Sequence, residues 1–263
     1  MRIALLISTY NWPEALDLVL KSAFEQTTYP DEILIADDGS KKETKEIIDF
    51  YTQKTTIPIK HIWQEDLGFR KSAIINKTIA ASNSDYIIEI DGDCIMNKYF
   101  IADHISLAGE NIFLFGSRVN IQKNRLSYLF KTKNININFF SIGIKKRSRT
   151  LRIPLFSSFF KNSNQLSKKF RGCNFSFYKK DFIAVNGYNE DFEGWGKEDS
   201  ELAIRLLNSG CIGKRIRYKG IVYHIWHHEK SRNQLSKNEG IQQQVLDGDI
   251  SICKNGIDKY LKK

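Results

Sequence analysis

Strand and helix signals alternate without a break through the first part of the chain, and nothing else in the sequence limits the fold so tightly. Arg2–Ser8 reads as a buried strand, Pro13–Glu25 as a helix, Glu32–Ala36 as a strand and Lys41–Gln53 as a helix. Ile57–Trp63 then reads as a strand, Arg70–Ala81 as a helix and Tyr86–Ile90 as a strand. Strands separated by helices need right-handed crossovers, which build a mostly parallel α/β sheet covered on both faces. In open sheets of this kind ligands gather beyond the carboxyl ends of the strands. Those ends are polar here: Thr9-Tyr10-Asn11, Asp37-Asp38-Gly39-Ser40, Gln64-Glu65-Asp66 and Asp91-Gly92-Asp93.

Each piece alone has an ordinary explanation. Asp-Gly ends many strands in a turn, and Asp37-Asp38-Gly39-Ser40 suits a helix cap. Converging on one rim, they can instead hold a nucleotide: a strand-end carboxylate accepts hydrogen bonds from base N–H groups or ribose hydroxyls. Asp91 and Asp93 suit a hard divalent cation, which takes one or two carboxylates when it also touches a diphosphate. No Gly-x-Gly-x-x-Gly follows the first strand and no Gly-Lys-Ser/Thr loop occurs. A dinucleotide cofactor and a phosphate-loop NTPase are therefore disfavoured.

Past Ile101 the pattern loosens. Ile112–Val119 reads as a strand, Cys173–Tyr178 as another, then Arg215–Tyr218 and Ile221–Trp226 as strands, with a helical tail from Ser231 onward. Between Glu193 and Asp199 stands Glu-Gly-Trp-Gly-Lys-Glu-Asp, where two glycines allow a tight turn that presents Trp195. Leu202, Ala203, Leu206 and Leu207 follow at helical spacing, so Glu198 and Asp199 start a helix. Acidic residues there complement the helix dipole, which by itself accounts for them. His224-Ile225-Trp226-His227-His228 holds three of the five histidines; on a strand His224 and His227 would face opposite ways. Neutral imidazole beside Asp93 would favour manganese.

Composition adds a compartment and a charge anomaly. A chain of 263 residues with 41% hydrophobic content can bury a substantial core. The apolar opening Ile3–Ile7 is too short for a membrane span and carries no signal-peptide cleavage pattern, so a cytoplasmic protein is expected. Cys94, Cys173, Cys211 and Cys253 lack paired spacing, which argues against a disulfide framework or zinc knuckle. The net charge is +10, yet Asn111–Lys180 alone carries 16 Lys and Arg and no Asp or Glu, leaving the remainder net acidic. Phe139, Phe140, Leu151, Ile153, Leu155, Phe156, Phe159 and Phe160 interleave with Lys145, Lys146, Arg147, Arg149 and Arg152. Such a segment suits an anionic membrane surface, with a nucleic acid or simple solvation as the alternatives.

Taken in order, Ser8-Thr9-Tyr10-Asn11-Trp12-Pro13-Glu14-Ala15-Leu16, Asp37-Asp38-Gly39-Ser40, Asp66-Leu67-Gly68-Phe69-Arg70 and Asp91-Gly92-Asp93 resemble the inverting family 2 glycosyltransferases. Arg171-Gly172-Cys173-Asn174-Phe175-Ser176-Phe177, Asn186-Gly187-Tyr188-Asn189-Glu190, the Glu193–Asp199 run and Val222-Tyr223-His224-Ile225-Trp226-His227 look like the carboxyl-terminal region of β-1,4-galactosyltransferases and chondroitin-type polymerases. The resemblance runs from about residue 3 to about residue 230. It implies a GT-A fold, a Rossmann-like nucleotide-binding half fused to an acceptor-binding half. A single domain over 1–263 would comprise a nucleotide-sugar half at about 1–110 and an acceptor half at about 111–230. A basic insertion would sit near 120–170 and a C-terminal tail at about 231–263.

The resemblance also implies roles. Thr9, Tyr10, Asn11, Asp38, Asp66, Arg70 and Asp91 would hold the nucleotide sugar; Asp93 with His224 or His227 would hold Mn2+ or Mg2+. Glu198 and Trp195 would bind the acceptor, with Asp199 as general base. The expected partners are a nucleotide-diphosphate sugar, UDP-linked, and a saccharide or lipid-linked saccharide acceptor, in bacterial surface polysaccharide or lipopolysaccharide synthesis. Peripheral contact with the inner face of the cell membrane fits the basic segment, and no nucleic acid partner is expected. Two departures stand out: Lys197 replaces a common glycine, and the basic Phe-rich insertion before Arg171 has no counterpart in the pattern. A nucleotidyltransferase of similar layout and a noncatalytic polyanion-binding protein remain the rival readings.

Overall fold

The computed structural model describes residues 1–228 and 233–262. Among the described residues twelve strands fall into two sheets: β1 Ile3–Thr9, β2 Glu32–Asp37, β3 Ile59–Trp63, β4 Tyr86–Asp91, β5 Cys94–Met96 and β6 Ile112–Phe115, then β7 Arg118–Ile121, β8 Ile144–Lys145, β9 Asn162–Ser163, β10 Asn174–Tyr178, β11 Ile212–Arg215 and β12 Val222–His224. The larger sheet has the order β3-β2-β1-β4-β10-β6-β11-β9, and the smaller β5-β12-β7-β8. Helices Pro13–Phe24, Lys42–Thr52 and Lys71–Ala80 make the first three crossovers. Successive residues of β1 serve opposite layers, Ala4 and Leu6 in one core cluster and Ile3, Leu5 and Ile7 in the other. Burial on both faces is why that strand reads as an unbroken apolar run.

Within the larger sheet β10 runs against both of its neighbours. β1 pairs in parallel with β2 and β4, whereas β10 is antiparallel to both β4 and β6. Asn174, the first residue of β10, therefore lies opposite Ile90 near the end of β4. The start of β10, and the Arg171-Gly172-Cys173 leading into it, arrives at the rim where the parallel strands finish.

Three element boundaries differ from the sequence reading. Ile112–Val119 is two strands in different sheets, parted at Gly116-Ser117. A Cβ on Gly116 would stand 2.1 Å from the buried Asn174 amide, which donates to Gly220 O at 2.7 Å between the two sheets. The strand expected at Arg215–Tyr218 is Ile212–Arg215, because Tyr218 takes a left-handed turn conformation at φ 68°. The strand expected at Ile221–Trp226 ends at His224. In the tail, Leu235–Asp247 is helical, and Ser231 lies outside the described residues. All four cysteines are free and buried, and no described helix is long and apolar enough to cross a membrane.

Candidate active site

A cleft of about 790 Å³ opens over the rim, within the range of small-ligand sites. Its lining includes Thr9, Tyr10, Asp38, Asp91, Asp93, Trp195, Glu198, Asp199, His224 and His227. At the end of β2, Asp38 accepts from the Arg70 backbone N–H at 2.7 Å and the Gln64 amide at 2.6 Å. The Tyr10 hydroxyl donates to Asp66 at 2.8 Å, which raises the phenol's pKa. Its neighbour Asp37 is spent on structure, accepting from Ser40 N at 2.8 Å and facing His61 at 2.9 Å. Asn11, Asp66 and Arg70 are not brought to the cleft wall. Asn11 accepts from the Lys41 N–H at 2.9 Å, and the Arg70 guanidinium donates to Glu65 O.

Asp91 is fixed by a residue the sequence reading missed. Lys71, first in the helix Lys71–Ala80, places Nζ 2.5 Å from Asp91 Oδ1, with Ser8 Oγ donating to the same oxygen at 3.0 Å. Burial works against the Asp91 charge, but the Lys71 ammonium outweighs it and holds the carboxyl at about 2. Behind them Glu89, buried in β4, is raised by burial to about 8 even with Lys71 near and Tyr188 donating at 2.9 Å. The signal for Lys71 was one position along from Arg70, where the helix begins and side chains turn back toward the sheet.

Both histidines converge on Asp93. Because β12 stops at His224, the chain curls and returns His227 to the same side, against the alternation expected of a continuous strand. His224 Nε2 lies 3.6 Å and His227 Nε2 3.4 Å from Asp93 Oδ2, and the three ligand atoms fall within 4.8 Å of one another. His227 Nδ1 donates to His228 O at 2.6 Å, since a carbonyl can only accept. Burial lowers the His224 pKa, with Arg118 and His227 acting in the same direction against Asp93 and Asp91. Two imidazole nitrogens and a carboxylate oxygen gathered at one point are a donor set that fits Mn2+ or a borderline divalent cation.

The opposite wall is the Glu193–Asp199 turn. Gly194 and Gly196 have φ of 67° and 114°, and Lys197 follows at 75°, a left-handed position that explains why glycine would be the easier residue there. The helix Glu198–Asn208 starts directly after. Trp195 lines the cleft at 42% exposure. Asp199 accepts from Gly172 N at 2.6 Å and Ser200 N at 2.7 Å, so both its oxygens are aimed by backbone donors. A Cβ on Gly172 would lie 2.8 Å from Asp199 Cβ, so only glycine admits this approach. Glu198 accepts from Gly196 N at 3.0 Å. Burial first, then the Asp199 charge, push its carboxyl up to about 7, while Lys71 pulls it down. Arg118, Lys145 and Arg171 complete a cationic margin that the sequence reading saw only as an undivided basic stretch.

A mostly parallel sheet with acidic strand ends, a candidate cation site and a carboxylate wall facing it mark this cleft as the candidate active site. Residues 4–182 match Glycosyl transferase family 2, and the chain belongs to that family. Residues 156–228 also match the family described as N-terminal domain of galactosyltransferase. The chain is 28% identical to a chondroitin synthase of Escherichia coli over 84% of its own length and 34% of that protein's. It is 27% identical to a validoxylamine A glucosyltransferase of Streptomyces hygroscopicus subsp. limoneus, covering 79% of this chain and 48% of the relative. The chain thus spans between a third and a half of these two relatives. Among solved structures, a mannosyltransferase from Pyrobaculum calidifontis in complex with GDP-Man and Mn2+ superposes with TM-score 0.58 at 16% identity, covering 85% of this chain and 56% of that one. S. aureus TarS 1–349 in complex with UDP-GlcNAc gives TM-score 0.59 at 14% identity, covering 87% and 60%. The chain thus carries a family 2 glycosyltransferase domain in the GT-A fold, a family that the nucleotidyltransferase reading does not fit.

Proposed function

We propose that the protein is an inverting, divalent-metal-dependent hexosyltransferase that moves a sugar from a UDP-linked donor to a saccharide hydroxyl. The observation that carries this reading is the placement of Asp199, aimed by two backbone N–H groups, in the same cleft as Asp91 and the Asp93, His224 and His227 set. Asp38 and Tyr10 would seat the nucleoside, and Asp91 the ribose. Asp93, His224 and His227 would hold the cation, whose chemistry when bound is to neutralise charge on the diphosphate. Trp195 gives a sugar ring an apolar platform, and Glu198 a hydrogen-bonding partner.

Asp199 takes the proton of the acceptor hydroxyl as its oxygen bonds to the anomeric carbon. The bond from that carbon to the diphosphate oxygen breaks, and the nucleoside diphosphate leaves with the electron pair. A single displacement of this kind inverts the anomeric configuration. The relatives' names support a polysaccharide product, as in bacterial surface polysaccharide or lipopolysaccharide synthesis. A panel of UDP- and GDP-sugars with Mn2+, scored for nucleoside diphosphate release and thermal stabilisation, tests the reading. One sugar nucleotide is expected to raise the melting temperature only with the metal present, and Asp93→Ala to abolish that dependence. No response to any member of the panel overturns it.

A further inference from the structure

The cleft uses only part of the cationic segment. Outside it, the four most exposed large apolar side chains among the described residues are Phe140 at 85%, Ile142 at 79%, Leu155 at 77% and Phe159 at 76%. All four lie between positions 139 and 160, in the part of the chain that carries no acidic residue. Contacts link the two loops that carry them. Arg147 donates to Phe139 O and to Ser141 O, and Arg125 to Ile142 O at 2.7 Å. The adjacent Ser148 O accepts from Arg217 at 2.9 Å, and the Arg217 guanidinium lies 4.4 Å from the Tyr218 ring. Tyr218 meets Phe156 at 5.8 Å between centroids, and Phe156 meets Phe159 at 5.9 Å.

Cations crowd along the same path. Burial, then Arg149, Arg118, Arg171 and Lys169, push the Lys146 pKa down; burial, then Arg215 and Arg217, do the same to Arg149. Carboxylates reach the segment through Lys133 with Asp17, Arg152 with Asp103 and Lys180 with Glu110. Among the described residues, none pairs with Lys146, Arg149, Lys169, Arg215 or Arg217. Wet phenylalanine and leucine beside self-repelling cations is costly on both counts. An anionic bilayer relieves both, since headgroup phosphates meet the cations while the apolar side chains enter the acyl boundary. A nucleic acid would answer the charge and leave Ile142 and Leu155 in water.

We propose that residues 139–142 and 155–159, with Lys146, Arg149 and Arg217 between them, dock the protein peripherally on an anionic lipid bilayer. Lys145 and Arg171, which belong to the cleft lining, then stand at headgroup level, where a membrane-borne acceptor would meet the site. The docking does not depend on the transferase reading. Its test is sedimentation of the full chain with vesicles of phosphatidylcholine mixed with phosphatidylglycerol, against vesicles of phosphatidylcholine alone. Binding is expected to the mixed vesicles only, and to weaken as salt rises. Lys146→Gln with Lys169→Gln should weaken it about fivefold per charge removed. Phe140→Ser with Leu155→Ser and Phe159→Ser should weaken it by ~10-fold or more. These side chains lie outside the cleft, so melting temperature and sugar-nucleotide hydrolysis should be unchanged and certify the fold. Failure to bind mixed vesicles at low salt, or undiminished binding by the serine variant, overturns the proposal. So does duplex DNA that displaces the protein from vesicles and binds the serine variant equally well.

Discussion

Replacing Asp199 by Asn separates a catalytic base from a cap more cleanly than deleting the side chain, because size and planarity stay the same. In the native arrangement Gly172 N–H and Ser200 N–H each donate to a different carboxylate oxygen. An asparagine has one oxygen, so one of those donors must face an NH2 group instead. Leaving a partly buried donor unpaired costs about 1–3 kcal/mol of stability, visible as a lowered melting temperature. The catalytic loss is separate: removing a positioned base costs about 10²–10⁴-fold in turnover, or roughly 3–5 kcal/mol of barrier. The assay is nucleoside diphosphate release from the sugar nucleotide found in the donor panel, at a temperature where the variant is fully folded, with donor affinity measured by calorimetry. Turnover should collapse while donor affinity holds, since Asp199 is not among the groups assigned to the nucleotide. Turnover within a few-fold of the parent at full folding would refute the assignment of Asp199 as base. A fall in donor affinity matching the loss in rate would refute the division of the cleft into two walls.

Three further outcomes follow from the same geometry. Lys71→Met should leave the Asp91 carboxylate without its cation; with side-chain exposures of 17% and 29% the loss belongs at the lower end, on the order of 2–3 kcal/mol, measured by urea denaturation at neutral pH. Glu198 has a folded pKa of about 7 against 4.5, so its contribution to stability is fully present below pH 4.5 and lost as pH rises through 7. Glu198→Gln, without donor or metal, should therefore melt like the parent near the acid end and higher than the parent at pH 8; equal melting at both ends contradicts this. Gly172→Ala should displace Asp199 through the 2.8 Å Cβ contact, cutting turnover while nucleotide binding persists; a fully active alanine variant would show that Asp199 needs no such approach.

The layout of the first four strands was legible because β1, β2 and β4 are buried on both faces and each of the four is followed by a turn or cap signal, as with Asp37-Asp38-Gly39-Ser40; β3, at the sheet edge, is only half-buried. The histidine cluster was not, since alternation along a strand presumes that the strand continues, and pairing between β12 and β5 ends at His224 opposite Cys94. Ile112–Val119 misled for a related reason: the apolar Ile112–Phe115 run and Val119 sit so close together that only Gly116-Ser117 marked the change of sheet. Asp91, Asp93 and Asp199 could be named from local motifs. Lys71, Arg118 and Gly172 could not, because each matters through a partner distant in sequence, Asp91, Cys173 and Asp199 respectively.

The reversal of β10 has a bearing on how such a chain can diversify. β7 runs parallel to β12, with Asn120 opposite His224, so it too finishes at the cleft, and Asn120, Ile121 and Gln122 line it. The chain leaves the cleft at Gln122, touches it again at Lys145 and returns at Arg171 on its way into β10. Whatever lies between is a detour anchored at both ends beside the acceptor wall. Length and chemistry there can change through insertion or loss without shifting β1, β2 or β4, so on the proposed division of the cleft the acceptor preference and membrane docking proposed for this segment can evolve while the proposed donor side stays fixed.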